Sequence, residues 1–341
     1  MKLIQGGLIK TITSGDIPNG QVLIDGGKIV AVGQNLDVPA GTEIIDAAGC
    51  IVTPGFVDAH CHIGIHEEAT RWEGNDTNEY SSPVTPEIRA IDGINPMDPT
   101  FREAALAGIT TVCTGPGSAN VVGGTFAAVK TVGTCVDEMI VKEAVAMKCA
   151  FGENPKRCYQ GKNNNTRMAT AAKLRELLFK ANEYSMKLSE ARQDPSKRPA
   201  FDMKLDAMLP VVRKQLPLKA HAHRADDICT AIRIAKEFDL KLTLEHVTEG
   251  QFILPQLQAA NVPLAVGPNL HANSKFEIRN MTFTTPGVLS KAGLQVSIVT
   301  DAPIVPLKYL AMSAGLAVKS GMDHTEALKA ITINPAKHLG I

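Results

Sequence analysis

Aromatic residues are scarce in this sequence, at 4%, with a single tryptophan among 341 residues. Charge of either sign in excess is also missing: Lys+Arg and Asp+Glu are both 35, for a formal net charge of zero. A balanced chain with no basic stripe gives no electrostatic reason to expect nucleic acid or an anionic membrane surface as a partner. No apolar run is long enough to span a bilayer. The opening MKLIQGGLIK, with a lysine close to a short apolar patch and no cleavage site, does not read as a signal peptide. The seven cysteines (50, 61, 113, 135, 149, 158 and 229) are scattered, with no CxxC. That usage is expected of reduced thiols in a cytoplasm. What the chain does have is 44% hydrophobic and 21% charged residues, enough for a sizeable core. Its length suits a barrel with a small satellite domain.

The organising stretch is IVTPGFVDAHCHIG, Ile51 to Gly64. Pro54-Gly55 breaks the chain, an apolar strand follows, and His60 and His62 stand two residues apart at its end. On a strand, positions i and i+2 face the same side, so two imidazoles converge from one face. Neutral imidazoles are ligands for zinc or a neighbouring transition metal. Cys61, between them, is expected to point away and pack. A long polar excursion, Glu67 to Pro99, follows; it holds Trp72 and reads as a lid over the site. His66 reads as a loop residue.

The rest of the chain alternates strand-like and helix-like segments. GITTVCTGPGS reads as a second strand, GGTFAAVKTVG as a third and EAVAMKCAFGENP as a fourth. Lys130 and Lys148 each lie inside an apolar run, an unusual place for an ammonium. MATAAKLRELLFKANEYSMKLSEAR has helical spacing. LPLKAHAHRADD then repeats the i, i+2 pattern at His221 and His223, with Asp226 placed to cap the next helix. KLTLEH ends in His246, NVPLAVGPNLHAN carries Asn269 and His271 beyond its strand, and QVSIVTDAP places Asp301 after the eighth. His324 and His338 fall on polar faces of closing helices. Four histidines and an aspartate at successive strand ends, with a lysine on the fourth, predict a metal site at one mouth of a parallel barrel.

These motifs, in this order, resemble the metal-dependent amidohydrolase superfamily, in particular the branch with imidazolonepropionase and the prolidase-like dipeptidases. The resemblance implies an α/β fold: a (β/α)8 TIM barrel over residues 51–341 and a small β-sandwich-like domain over 1–50. In that superfamily the small domain is completed by C-terminal strands, and this chain stops at ITINPAKHLGI, where they would begin. An open sheet edge is therefore expected in residues 1–50.

The resemblance assigns His60, His62 and Asp301 to one divalent metal, zinc being the expected ion. It assigns His221 and His246 to a second, with Lys148, carboxylated by CO2, bridging; Lys130 is the fallback. Imidazolonepropionase-like relatives use one metal and no bridging lysine, so one or two ions stay open. The implied activity is hydrolysis of a C–N bond in a small amide, peptide-like or cyclic, with Asp301 as ligand and proton shuttle. His223 and His271 are candidates to bind the oxyanion or a substrate carboxylate, and Arg224, Asn269 and Arg279 to bind substrate. The alternatives are a deaminase of an amino-substituted heterocycle and an inactive barrel serving as a binding subunit. The expected partner is a small molecule, and the sequence is compatible with a homo-oligomer.

Overall fold

The computed structural model describes residues 1–162 and 164–341. The chain divides into two compact units, Met1–Gly55 and Phe56–Ile341.

Met1–Gly55 form one five-stranded sheet. Its strands are β1 (Lys2–Lys10), β2 (Asp16–Asp25), β3 (Lys28–Gly33), β4 (Glu43–Asp46) and β5 (Ile51–Val52). The order is β3-β2-β1-β4, with β5 also against β1. β1, β2 and β3 are antiparallel neighbours, whereas β4 and β5 run parallel to β1. The predicted hairpin between β2 and β3 turns on Gly26 and Gly27, both at positive φ (52° and 75°), which a two-residue primed turn demands. Leu3, Ile9, Val22 and Leu23 are buried, while Ile29, Val30, Ile44 and Ile51 are exposed. No second layer of this unit covers those exposed side chains.

The larger unit is built on β6 (Phe56–Cys61), β7 (Ile109–Thr114), β8 (Val122–Lys130), β9 (Ile140–Ala150), β10 (Leu218–Ala222), β11 (Leu242–His246), β12 (Leu264–Val266) and β13 (Val296–Ile298). They form one eight-stranded sheet in sequential order. Its two edges meet through backbone bonds: Asp301 N–H donates to His60 O (3.1 Å) and His62 N–H to Ala302 O (2.7 Å). The Asp58 carboxylate adds to the seam, accepting from the Thr300 hydroxyl (2.6 Å), the Thr300 amide (3.0 Å) and the His60 amide (2.9 Å). Both faces of the sheet are covered, so β10 and β11 are buried at every position.

The expectation of a wholly parallel barrel is corrected at one strand. β8 runs antiparallel to both β7 and β9. A parallel neighbour needs a crossover of roughly a dozen residues or more, and the connections 115–121 and 131–139 are too short for one. The C-terminal end of β8 therefore lies at the opposite end of the barrel from the other strands' C-termini. Lys130 is carried there with it, paired with Thr111 and 3.1 Å from its hydroxyl. That removes Lys130 as the alternative bridging lysine.

The helices pack their apolar faces on the outside of this sheet. Arg167–Glu190 starts at Thr166, whose hydroxyl accepts from the Ala169 amide, and buries Ala171, Leu174, Leu178 and Ala181 against Met208 and Val211. In Ala225–Glu237 the buried face is Ile228, Ala231, Ile232 and Ala235. Asp226 does not cap that helix: its carboxylate takes the Arg224 guanidinium, and Glu249 accepts from the Ala225 amide instead. Among the described residues no helix is long and apolar enough to cross a membrane.

The excursion after β6 is strapped down along its length. The Asn120 side-chain amide donates to Glu79 O, Ser82 O and the Tyr159 hydroxyl, and Thr125 N–H donates to Ile88 O. These bonds hold its 79–88 stretch against β8 and the connection before it. Trp72, at 88% exposure, faces solvent. Gly124 lets β8 approach it: φ is +102° and an added Cβ would stand 2.2 Å from Ile88 O. Gly124→Ala should lower unfolding free energy by more than ~1 kcal/mol in denaturant titration. An unchanged midpoint would show that this stretch is not seated on β8.

Candidate metal centre

The site is assembled at the barrel mouth from strand ends. His60 is the fifth residue of β6 and His62 lies just past it; β10 carries His221, β11 ends at His246, and Asp301 follows β13. Alternation brings His60 and His62 to one side, their rings edge to face at 5.3 Å between centroids. Alternation does not explain His246, which follows the inward-facing Glu245. Its φ of +75° swings the side chain into the site; Asp301 likewise sits at φ +52°. A positive φ in a non-glycine residue costs of order 1–3 kcal/mol and persists only where the surroundings impose it.

Two groups of ligand atoms result. His60, His62 and Asp301 form one, and His221, His223 and His246 the other; within each the donor atoms lie within 4.8 Å of one another. His223, expected to contact substrate, thus joins a ligand group. Asp301 Oδ1 is 3.1 Å from His62 Nε2 and 3.5 Å from His60 Nε2. Lys148 Nζ reaches His60 Nε2 at 3.2 Å.

The other ring nitrogens are occupied by partners that orient the imidazoles. His62 Nδ1 faces Gly115 O (2.6 Å), His246 Nδ1 faces Gly267 O (2.8 Å), His223 Nδ1 pairs with the Thr248 hydroxyl (2.8 Å), and His60 Nδ1 with Glu245 Oε2 (3.0 Å). This is how a protein fixes the tautomer of metal-binding histidines. Both ring nitrogens of His221 are buried without a hydrogen-bond partner. Burial pushes the imidazoles of His60, His221 and His223 well below the ordinary value and that of His246 to about 4, so they are neutral and can donate lone pairs. Burial also pushes the Lys148 ammonium down to about 8, against the pull of Asp301 and Glu245. Burial would raise Asp301, but the imidazoles of His246, His62 and His60 hold it well below the carboxylate range. Neutral imidazoles with oriented nitrogens, orphaned donors and an ionised carboxylate fit a divalent cation.

The chain has a match to the amidohydrolase family model over residues 51–341. It belongs to the amidohydrolase family. A crystal structure of an amidohydrolase from Thermotoga maritima MSB8 superposes with a TM-score of 0.96 at 40% identity, covering 100% of this chain and 89% of that one. A prolidase solved with N-methylphosphonate-L-proline shares the fold, at TM-score 0.58 and 15% identity over 99% of this chain and 87% of that one. Among curated sequences, amidohydrolase tasK of Hapsidospora irregularis is 26% identical over 94% of this chain, which spans 36% of that protein's length.

Within this amidohydrolase, a cavity of about 270 Å³ opens over the two ligand groups. His62, His221, His223, His271 and Asp301 line it, with polar walls from Asn75, Asn78, Ser118 and Asn154. The excursion thus supplies part of the wall, and His66 lies on it too. Arg224, Asn269 and Arg279, expected to bind substrate, are not on its lining. Arg224 is held by Asp226, and Arg279 stacks on the Phe276 ring at 4.1 Å. Cys61 points away, its Sγ 3.5 Å from Cys113 O, and all seven cysteines are free.

Below the ligands lies a buried ionic network that the sequence reading passed over. Glu245 takes Lys219 Nζ (2.7 Å) and His60 on Oε2, and His338 (3.1 Å) and the Thr243 hydroxyl (2.9 Å) on Oε1. Burial would raise this carboxyl, yet Lys219, then His338 and His60, hold it well below its ordinary range. His338, read as lying on a polar helix face, is buried because helix Ile333–Leu339 packs against β6 and β13. The overlooked signal was spacing: Asp58 and His60, and Lys219 and His221, are i, i+2 pairs sharing a face. Lys219→Met strips Glu245 of its nearest cation. Equilibrium unfolding should record a loss of about 3–5 kcal/mol, the penalty for orphaning a buried charge. A loss under ~1 kcal/mol would mean that the carboxylate does not depend on Lys219.

Proposed function

We propose that this protein is a metal-dependent hydrolase that cleaves a C–N bond of a small, polar amide, peptide-like or cyclic. The observation that carries the reading is the pair of ligand groups, His60/His62/Asp301 and His221/His223/His246, facing one polar cavity. Two groups favour two ions over one. A divalent cation held by these residues would supply Lewis acidity for a substrate carbonyl and for water.

The chain's own residues do the rest. Asp301, ionised at neutral pH, takes the proton of the attacking water and hands it to the leaving nitrogen. An amine leaves poorly without that proton, so the same carboxylate acts twice. His271, on the cavity wall, donates to the developing oxyanion. Lys148, whose amine is partly neutral at physiological pH, would add to CO2: nitrogen bonds to carbon, one proton is released, and the resulting carbamate would offer its oxygens to a cation held by the ligand groups. Its position beside His60 supports that role. The cavity volume and its asparagine and serine walls suit a small polar substrate.

Three measurements test this. Protein prepared without chelators should contain close to two equivalents of zinc-like metal by elemental analysis. Trace metal, with no uptake of Zn, Mn or Co, would overturn the reading. Asp301→Asn should keep most of the metal while kcat on a library-identified amide falls by roughly 10²–10⁴; near-normal turnover would move the shuttle to another group. Carbon-labelled bicarbonate should give a carbamate resonance that Lys148→Ala abolishes. Persistence of the resonance in that variant would place the modification on another amine, and no resonance in the wild type would leave Lys148 unmodified.

A further inference from the structure

Phe126 lies on β8 inside the barrel, fully buried, and has no part in the roles assigned so far. The inner cluster it belongs to is otherwise built of aliphatic and small side chains, among them Val57, Ala59, Cys113, Ala128 and Ala265. Its ring is the largest group in that space. It stands 5.1 Å from the His60 ring and 6.0 Å from the His62 ring, centroid to centroid. Among the described residues, the ring contacts of His221, His223 and His246 are with other histidines. By ring contact Phe126 thus borders the first ligand group alone.

Two features fix the ring. Gly115, just after β7, leaves it room: an added Cβ would stand 2.4 Å from Phe126 Cγ and 2.5 Å from Cδ2. Only glycine allows that approach. The Gly115 carbonyl in turn accepts from His62 Nδ1 at 2.6 Å, the bond that orients this imidazole. Ring, glycine and imidazole form one continuous run of contacts. On the ring itself, Lys148 Nζ and Lys219 Nζ lie 5.2 and 5.3 Å from the centroid, inside the ~6 Å reach of a cation–π contact. Both lysines are fully buried, and such contacts are strongest out of water.

We infer that Phe126 is a positioning residue for the first ligand group: its ring, held by Lys148 and Lys219, seats Gly115 so that the Gly115 carbonyl fixes the direction of His62. The inference rests on the metal-dependent reading above where it speaks of ligands, but the hydrogen bond that it explains forms without an ion. A side chain with no ring at position 126 opens space beside two lysines, where water finds polar partners. Gly115 is then free to shift and His62 to turn.

The test uses the full-length protein, stripped with a chelator and then titrated with Zn²⁺ against a chromophoric competitor. Long-range proton–nitrogen NMR of the stripped wild type should show a protected Nδ1–H on His62, assigned by its loss in His62→Gln. Phe126→Leu should speed exchange of that proton severalfold. It should also weaken one Zn²⁺-binding event by ~10–100-fold, the worth of an outer partner of a metal ligand, and leave the other unchanged. Val145→Ala, which opens space in the same cluster beside His338 at the barrel floor, should do neither. Unaltered exchange and binding in Phe126→Leu, both events weakened alike, or the same selective loss in Val145→Ala would make the ring mere filling and overturn the inference. Should Phe126→Leu not fold, Phe126→Met fills the volume without a ring and is read by the same two signals. Wild-type protein that takes up no metal would instead overturn the metal-dependent reading, and the His62 proton would then decide this inference alone.

Discussion

Two lysines in register face each other across adjacent strands inside this barrel: Lys148 on β9 pairs with Lys219 on β10, and both are fully buried. Removing two ammonium groups from water costs several kcal/mol each, and like charges at that spacing add to it. The polar interior is arranged around this constraint. Glu245 on the next strand neutralises Lys219 and, through its remaining lone pairs, holds His60, His338 and Thr243. Lys148 lies against His60, and burial lowers its affinity for protons against the pull of Asp301 and Glu245. Glu245 hydrogen-bonds Lys219, whereas Lys148 meets His60.

The same economy links the barrel seam to the site. The sheet closes where the backbone of His60 and His62 meets that of Asp301 and Ala302. The residues that join the first strand to the last are thus the ones whose side chains form the first ligand group. Asp58 reinforces that seam; burial pushes its carboxyl up to about 6, even though three donors favour its charged form. Ligand geometry and closure cannot be altered independently at this point in the fold.

The reversed strand has a functional consequence. With β8 antiparallel, the wall of the cavity beside β7 and β9 comes from the β7–β8 connection and the strapped excursion, through Gly117, Ser118, Asn75 and Asn78. In a regular barrel that sector would hold loops leading into helices. Here it is pinned by Asn120 and Tyr159, so the polar lining is preorganised.

The sequence by itself determined the histidine pairs, the strand that carries each, the buried position of Lys148 and the membership of the chain in the amidohydrolase family. Those are local facts: i, i+2 spacing, apolar runs and turn residues report on a few neighbouring positions at a time. The connection lengths 115–121 and 131–139 also announced the reversal of β8, had they been weighed against the span of a crossover. Only the tertiary structure decided that Glu245, adjacent to His246, turns inward to the ionic network, and that positive φ at His246 and Asp301 directs those side chains into the site. It alone brought His338 from the closing helix to the barrel floor, took Arg224 and Arg279 away from the cavity, and set the Phe126 ring beside His60 and His62. Each of these depends on which residues distant in sequence are packed together, and on a backbone angle that the surroundings impose against the residue's own preference, neither of which a local pattern contains.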